Sequence, residues 1–399
     1  MTFSPVLVHN AGRGALVRRT ALVKSAATGF QATRKLVGSA ELSRRFQSIM
    51  RYDRSALADF CVAAFRGVGA DEETAQAATQ AMLHASVVGV DSHGVRLLPH
   101  YLRVMEAGRV NSRPQLRFVR NIGATGLLDA DNAHGARAAY AAMERACELA
   151  RTHGMGGVAI RRSSHFGAAG AYALAAAEAG LIGLAVGNAD KVVRLHDGAE
   201  RFHGTNPIAV GVPVAGERPW LLDMATSSIP FNRVQLYGSL GRELPAGVAS
   251  DADGEDTIRP EAAAMLAPLG GEFGFKGAAL AGLAEILSTA LTGMRLSIEL
   301  LPMGGPDFST PRDMGAFVLA IDPRAFVEET VFEDTMRRYV AAIRNSRSVP
   351  GGKTMAPGDR EWAEAETRRM EGIPVDPDSE AAFAAIAGRF GLQSPEPLR

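Results

Sequence analysis

Between residues 116 and 321 short apolar runs alternate with Ala-rich stretches of helical length. That alternation restricts the middle of the chain to a sheet with helices laid on it. Strands are expected at 116–119, 125–128, 157–161, 181–186, 208–212, 220–222 and 316–321. Helices are expected over 135–152, 167–180 and 277–291. Asn121-Ile122-Gly123 reads as the turn between the first two strands. Glycine supplies 43 of 399 residues, above the usual share of about 7%. With so much Ala beside it, this predicts helices packed close on the sheet.

The flanking regions read as helix. Helical patterns cover 54–67, 72–88 and 95–107, with Ala75, Ala78, Met82 and Leu83 on one apolar face and Leu97, Leu98, Tyr101 and Leu102 on another. Gly108 closes the third. The tail is helical over 327–344, 361–370 and 379–390, after a Gly/Pro loop at 302–313, with a Gly/Pro/Lys-rich segment at 346–359. The expected organisation is an α/β lobe over 116–324 and a helical lobe assembled from 50–115 and 325–399. Residues 1–49 stand apart, with eight Lys and Arg against the single acid Glu41. This basic leader is expected to be disordered or to precede the real start at Met50, with a mitochondrial presequence as the alternative.

Lys plus Arg and Asp plus Glu each number 43, so the net charge is zero and the basic face that nucleic acid requires is not expected. Two cysteines, Cys61 and Cys147, exclude a disulfide framework and a Cys-rich metal site, and fit a reducing, cytoplasmic compartment. No metal site is expected. No apolar run reaches the length of a membrane span without a charge.

The usual dinucleotide fingerprint G-x-G-x-x-G is absent: the nearest match, at Gly154, follows a helix and precedes a strand. Phosphate-loop, H-E-x-x-H and G-x-S-x-G patterns are absent as well. Five polar clusters remain. Asp91-Ser92-His93-Gly94-Val95-Arg96 falls between two helices. A hydroxy or keto acid needs a group that exchanges the hydroxyl proton and a cation for the carboxylate. His titrates near neutrality and suits the first role. Arg binds carboxylate through two parallel donors and suits the second. A helix cap followed by a solvated His accounts for the same residues. The second cluster, Arg161-Arg162-Ser163-Ser164-His165-Phe166-Gly167, follows a strand and precedes a helix, where α/β folds bind ligands; a capped turn is the plain alternative. Gly204-Thr205-Asn206-Pro207 reads as a turn. Asp223-Met224-Ala225-Thr226-Ser227-Ser228, after an apolar strand, lets a ligand approach the backbone or is simply a loop. Gly274-Phe275-Lys276-Gly277 opens a helix, where Lys can meet an anion. His100, His196 and His203 read as surface or structural residues.

Val90-Asp91-Ser92-His93-Gly94-Val95, Ser163-Ser164-His165-Phe166-Gly167, Gly204-Thr205-Asn206-Pro207-Ile208-Ala209, Leu222-Asp223-Met224-Ala225-Thr226-Ser227 and Phe275-Lys276-Gly277 occur in this order. Together, over residues 50–372, they resemble the malate/L-lactate dehydrogenase family, whose members include ureidoglycolate, sulfolactate, diketogulonate and imino-acid enzymes. The resemblance implies a non-Rossmann α/β cofactor lobe, a helical lobe built from both chain ends, and a homodimer. It implies NAD or NADP as cofactor and a small 2-hydroxy or 2-keto acid as substrate. By the same resemblance His93 or His165 exchanges the substrate proton, Ser92 belongs to a relay, and Asp223 is its acid. Asn188, Ala189, Met224, Ala225, Thr226, Ser227 and Lys276 would contact the cofactor, as would Gly358, Asp359 and Arg360 on a looser match. Many members place a substrate Arg four residues after the His. Leu97 stands there in this chain, and Arg96, one position earlier on the same face, is the expected clamp. Where many members follow the fourth motif with Gly-Lys, this chain has Phe231-Asn232-Arg233. The expected function is hydride transfer between a nicotinamide and such an acid. The alternatives are an imino-acid reductase of the same family and a non-catalytic ligand-binding protein on the same fold.

Overall fold

The structure, a computed structural model, describes residues 50–398; the basic leader expected over 1–49 lies outside them. The strands are β1 (Met50–Tyr52), β2 (Arg117–Ile122), β3 (Thr125–Asp129), β4 (Met155–Ser163), β5 (Ile182–Gly187), β6 (Val193–Arg194), β7 (Arg201–His203), β8 (Ile208–Val212), β9 (Trp220–Met224), β10 (Ala249–Ser250), β11 (Met265–Leu266), β12 (Met314–Ile321) and β13 (Ile373–Val375). The α-helices are α1 (Arg54–Gly67), α2 (Glu72–Val87), α3 (Leu98–Glu106), α4 (Gly135–His153), α5 (Gly170–Glu178), α6 (Phe231–Ser239), α7 (Gly274–Glu285), α8 (Glu329–Arg344), α9 (Asp359–Glu371) and α10 (Pro377–Phe390).

Seven strands form the central sheet in the order β2-β3-β4-β12-β5-β8-β9. Only β3 and β4 pair in parallel; the other neighbours are antiparallel. The alternation of helix and strand thus yields a mixed sheet, without the parallel strand ends that place ligands in doubly wound folds. The Gly/Ala bias has a direct cause here. A Cβ on Gly211 would lie 2.4 Å from the Ala173 carbonyl oxygen, and one on Gly183 would lie 2.5 Å from the Ala176 Cβ. Bare glycines in β5 and β8 let the Ala-faced helix α5 sit directly on the sheet. Around them runs a core of Leu128, Met143, Ile160, Tyr172, Leu181 and Val318.

A second core joins both flanks of the chain: Leu57, Phe60, Phe65, Met82, Leu98 and Tyr101 meet Ile373, Val375, Phe383 and Ile386. Strand β1 pairs with β13, Met50 facing Val375. Helix α8 packs elsewhere, its Val340 against Val214 and Ala356. The very short strands β6, β7, β10 and β11 form a separate four-stranded sheet, which carries no periodicity a sequence reading can see. Helix α6 likewise falls where the sequence pattern predicts no element. Two boundaries moved for physical reasons. Helix α5 starts at Gly170 because Gly167 adopts φ +78°, outside the helical region. Strand β9 runs through Asp223 and Met224, so these residues belong to the strand and not to a loop after it. Among the described residues no helix is long and apolar enough to cross a membrane, and no His/Cys/Asp/Glu cluster could hold a metal.

Candidate active site

His93 closes a 3-10 turn, Asp91–His93, between α2 and α3. Gly94 follows because a Cβ there would lie 2.2 Å from Ser86 Oγ; that hydroxyl instead accepts the Val95 N–H at 3.0 Å. Arg368 of α9 donates to the Asp91 carboxylate (Nη2 to Oδ2, 2.9 Å) and to the Ser86 carbonyl (2.6 Å). The turn is held from two directions. His165 lies in the crossing from β4 to α5. Gly135 lets that crossing close on α4, since a Cβ there would lie 2.3 Å from the Ser164 carbonyl oxygen. Ser164 Oγ accepts the Gly135 N–H and donates to the Ala133 carbonyl, each at 3.0 Å.

These two supports bring the imidazoles together. The rings of His93 and His165 stack with centroids 5.6 Å apart and planes 26° apart. Ser92 Oγ lies 2.8 Å from His93 Nδ1, and Tyr101 Oη lies 2.8 Å from His165 Nδ1. A partner at Nδ1 fixes ring orientation and sets which proton Nε2 can give or take. Neither Nε2 has a protein partner among the described residues. Behind them His134 is fully buried and stands edge-on to Tyr101 at 4.3 Å, while its Nδ1 accepts the Ala136 N–H and caps α4.

Burial drives all these imidazoles toward the neutral form, because a charge loses its hydration there. His93 falls below the ordinary His value. His165 falls well below it, with the neighbouring His93 and the charge of Arg312 adding to the effect of burial. His134 is pushed down to about 3. His100 falls to about 4, through burial and then Arg109 and Arg312. His100 is half-buried beside Tyr101, ring centroids 5.8 Å apart, which fits the structural reading of this residue. His203 is buried in β7.

Two buried arginines lie near enough for their charge to act on His100, and that of Arg312 acts on His165 as well. Arg312, 3% exposed, donates from Nε to the Leu301 carbonyl at 2.8 Å and pairs with Asp190 through Nη2. Asp190 in turn accepts the Met303 N–H at 2.8 Å. Arg109 reaches the carbonyls of Pro302 and Asp307 in the same loop.

The segments expected to touch a cofactor converge next to this cluster. The Ala189 N–H donates to Asn206 Oδ1 at 3.1 Å, and Thr226 Oγ1 donates to the Thr205 carbonyl at 3.0 Å. Thr226 also accepts the Leu269 N–H through its carbonyl, which ties the Met224–Ser227 stretch to the approach of α7. Asn206 donates to Glu285 of α7 at 2.7 Å, and Glu285 also accepts from Ser297. Asn188 donates to the Arg295 carbonyl at 2.9 Å, while its Oδ1 is buried without a partner. Lys276 is exposed in the first turn of α7, its Nζ 5.3 Å from the Phe273 ring centroid, with no acidic partner among the described residues. An amide oxygen left open and an unpaired cation at a helix start fit a dinucleotide with a carboxamide at one end and phosphates along its length.

Five of the expected residues hydrogen-bond none of these imidazoles. Arg96 is exposed and makes no ion pair among the described residues; Leu97 packs against the helical core. Asp223 accepts the Gly170 N–H at 2.9 Å at the start of α5, and burial raises its pKa to about 6. It hydrogen-bonds neither imidazole. Asp359 is held by Arg344 (Nη2 to Oδ1, 2.7 Å) and accepts the Ala356 N–H, while Gly358 packs on Leu221 of β9 and Arg360 is exposed. A groove of about 560 Å³ lies elsewhere, lined by Glu73, Arg137, Tyr140 and Cys147, and none of the imidazoles borders it.

Tyr101, His134, Asp190 and Arg312 escaped the sequence reading. Tyr101 sits on an apolar helical face, where periodicity hides a hydroxyl. Arg312 lies in a loop, where no pattern marks it. His134 alone left a signal, a His directly before a Gly at a helix start.

The chain matches the family model described as malate/L-lactate dehydrogenase over residues 52–383. It is 34% identical over 358 residues to a malate dehydrogenase of Pyrococcus abyssi, covering 88% of this chain and 98% of that one. It is 33% identical to a delta(1)-pyrroline-2-carboxylate/delta(1)-piperideine-2-carboxylate reductase of Pseudomonas putida, covering 82% and 94%. Among solved structures the sulfolactate dehydrogenase of Methanocaldococcus jannaschii superimposes with a TM-score of 0.81 at 28% identity, covering 86% and 98%.

Proposed function

Because the chain belongs to the malate/L-lactate dehydrogenase family, we propose that it is an NAD(P)-dependent oxidoreductase whose substrate is a small 2-hydroxy acid and whose product is the 2-keto acid, or the reverse. The observation that carries this reading is the stacked pair of half-buried imidazoles, each oriented through Nδ1 and open at Nε2. A nicotinamide dinucleotide, when bound, supplies or accepts the hydride. Asn188 and Ala189 at the end of β5, the stretch Met224, Ala225, Thr226 and Ser227, and Lys276 would hold it. Arg360 lies free to join them, whereas Asp359 is engaged by Arg344. Ser92 and Tyr101 orient the two rings, and one of these rings gives or takes the proton of the substrate oxygen. Enclosure by the two cores keeps these imidazoles neutral, so they can act as bases at neutral pH. Exposed Leu283 on α7, with Ile286 and Leu291 in the residues that follow it, supports a homodimer, and the two buried free thiols support a reducing cytoplasm.

The test is consumption of reduced NAD or NADP, followed by nicotinamide absorbance, against 2-keto acids and cyclic imino acids. Turnover of a keto acid supports the reading. Turnover of imino acids alone moves the chain to the reductase branch, and silence across the panel with intact folding identifies a non-catalytic binding protein.

A further inference from the structure

Neither position expected to clamp the substrate carboxylate presents a fixed cation: Leu97 packs against the helical core, and Arg96 is exposed with no ion pair among the described residues. An acid substrate beside neutral imidazoles still needs a cation. Arg109 and Arg312 are both buried cations beside the site, and of the two only the charge of Arg312 also acts on His165. Its partner Asp190 follows directly on Asn188 and Ala189, at the end of β5, and its charge acts on both His165 and His100 across from them. Nε and Nη2 are committed to the Leu301 carbonyl and to Asp190. Nη1 has no hydrogen-bond partner among the described residues and is not among the buried atoms left orphaned. A guanidinium fixed by two of its nitrogens presents the third in a set direction, without the rotamer entropy a free Arg would lose on binding. The carbonyls that Arg109 holds belong to the same loop, 301–312, so the loop that carries Arg312 is itself pinned against the helical core.

Resting on the oxidoreductase reading above, we propose that Arg312, aimed by Asp190, binds the substrate carboxylate and takes the place of the arginine missing at position 97. Arg312 is then the residue that selects acids over their neutral analogues. Asp190 is a positioning residue that acts through Arg312.

The experiment compares a 2-keto acid with its 2-keto amide in the full-length enzyme, and measures binding of oxamate, an unreactive keto-acid analogue, by calorimetry with reduced cofactor present. Wild type should prefer the acid strongly. Arg312→Ala should raise KM for the acid about 100-fold or more, the scale for truncating one partner of a buried charge pair, with a much smaller change in kcat, and the acid-over-amide preference should collapse. Oxamate binding should be lost in parallel, while binding of the reduced cofactor alone persists. Arg312→Lys should keep part of the preference, since it retains charge but not the planar fork; it serves as the deciding variant if Arg312→Ala does not fold. Asp190→Asn should give a smaller rise in KM with the preference reduced, not abolished. Retention of the acid preference and of oxamate binding in the Arg312 variants, with their loss in Arg96→Ala, overturns the proposal and returns the clamp to Arg96. If wild type turns over no acid at all, the functional reading fails, and oxamate binding still decides the clamp: Arg312-dependent binding supports it and Arg312-independent binding overturns it.

Discussion

An imidazole that trades a proton with substrate works best in a single tautomer, and the hydroxyls of Ser92 and Tyr101 impose this on His93 and His165. Removing a general acid or base costs about 10² to 10⁴ in rate, so one of His93→Ala and His165→Ala should lose that much kcat. The two measured side by side assign the proton-transfer role; near-normal kcat in both would remove the imidazole pair from the chemistry. Both rings have lowered pKa values, so the neutral base is already present at pH 7. Oxidation of the hydroxy acid should therefore be level through neutrality and decline only below the ordinary His value of about 6.5. A limb that climbs between pH 7 and 8 would contradict this. Lys276 gives a separate prediction. Lys276→Ala should raise the cofactor KM several-fold with little change in the substrate KM, because its cation stands unpaired at a helix start; equal shifts in both constants would count against a phosphate contact. At this scale the sequence made the histidines of the motifs legible. It hid Tyr101 and Arg312, whose roles come from neighbours that only the tertiary structure supplies.

Elements were more legible than their pairing. The sequence pattern predicts strand β8 with its observed bounds and the buried strands β4, β5 and β12 within a few residues, because their apolar runs are long enough to register. Their mostly antiparallel arrangement was not readable, since local pattern does not encode the path of the connections that sets strand direction. The close seating of α5 on the sheet yields the prediction for this scale. Gly211→Ala would push a Cβ to 2.4 Å from the Ala173 carbonyl oxygen, a backbone atom that cannot swing aside. It should cost about 1–3 kcal/mol of stability, the range for overpacking. Gly282→Ala, inside α7 with nothing within 4 Å of the new Cβ, should be neutral or stabilising by up to about 1 kcal/mol from helix propensity. Urea denaturation of the two variants checks this, and equal midpoints would refute the packing account.

Across the whole molecule the histidines withdrawn from solvent act as a group, His134 fully buried and His84 and His100 partly so. His84 and His100 have folded pKa values lowered to about 4 and His134 to about 3, against roughly 6.5 in the unfolded chain. Between those limits the unfolded state binds more protons, so stability rises with pH up to about 6.5 and is lost as pH falls from there toward 4. Asp223, raised to about 6, has the opposite sign: its contribution is present below about 4 and is lost as pH rises through 6. One group opposes several, so the histidine trend wins. The melting temperature should drop on going from pH 7 to pH 5, and His134→Asn should flatten part of that slope. A melting temperature that rises toward pH 5 would be incompatible with uncharged buried imidazoles.

The clamp on Asp91 has a consequence for biosynthesis. Arg368 stands 277 residues downstream of the turn it holds, and β13 and α10 complete the core around α1 and α2. A chain growing on the ribosome can lay down the sheet and seat α5 while His93 still waits for its support. The helical core and the His93 turn therefore close late, in a step that needs nearly the whole polypeptide, and loop closure over so long a span makes it slow. Nascent chains arrested before Arg368 should protect β4 and β5 from protease yet leave α1 and α2 open to cleavage. Activity should arrive abruptly with the last helices, and not in proportion to length.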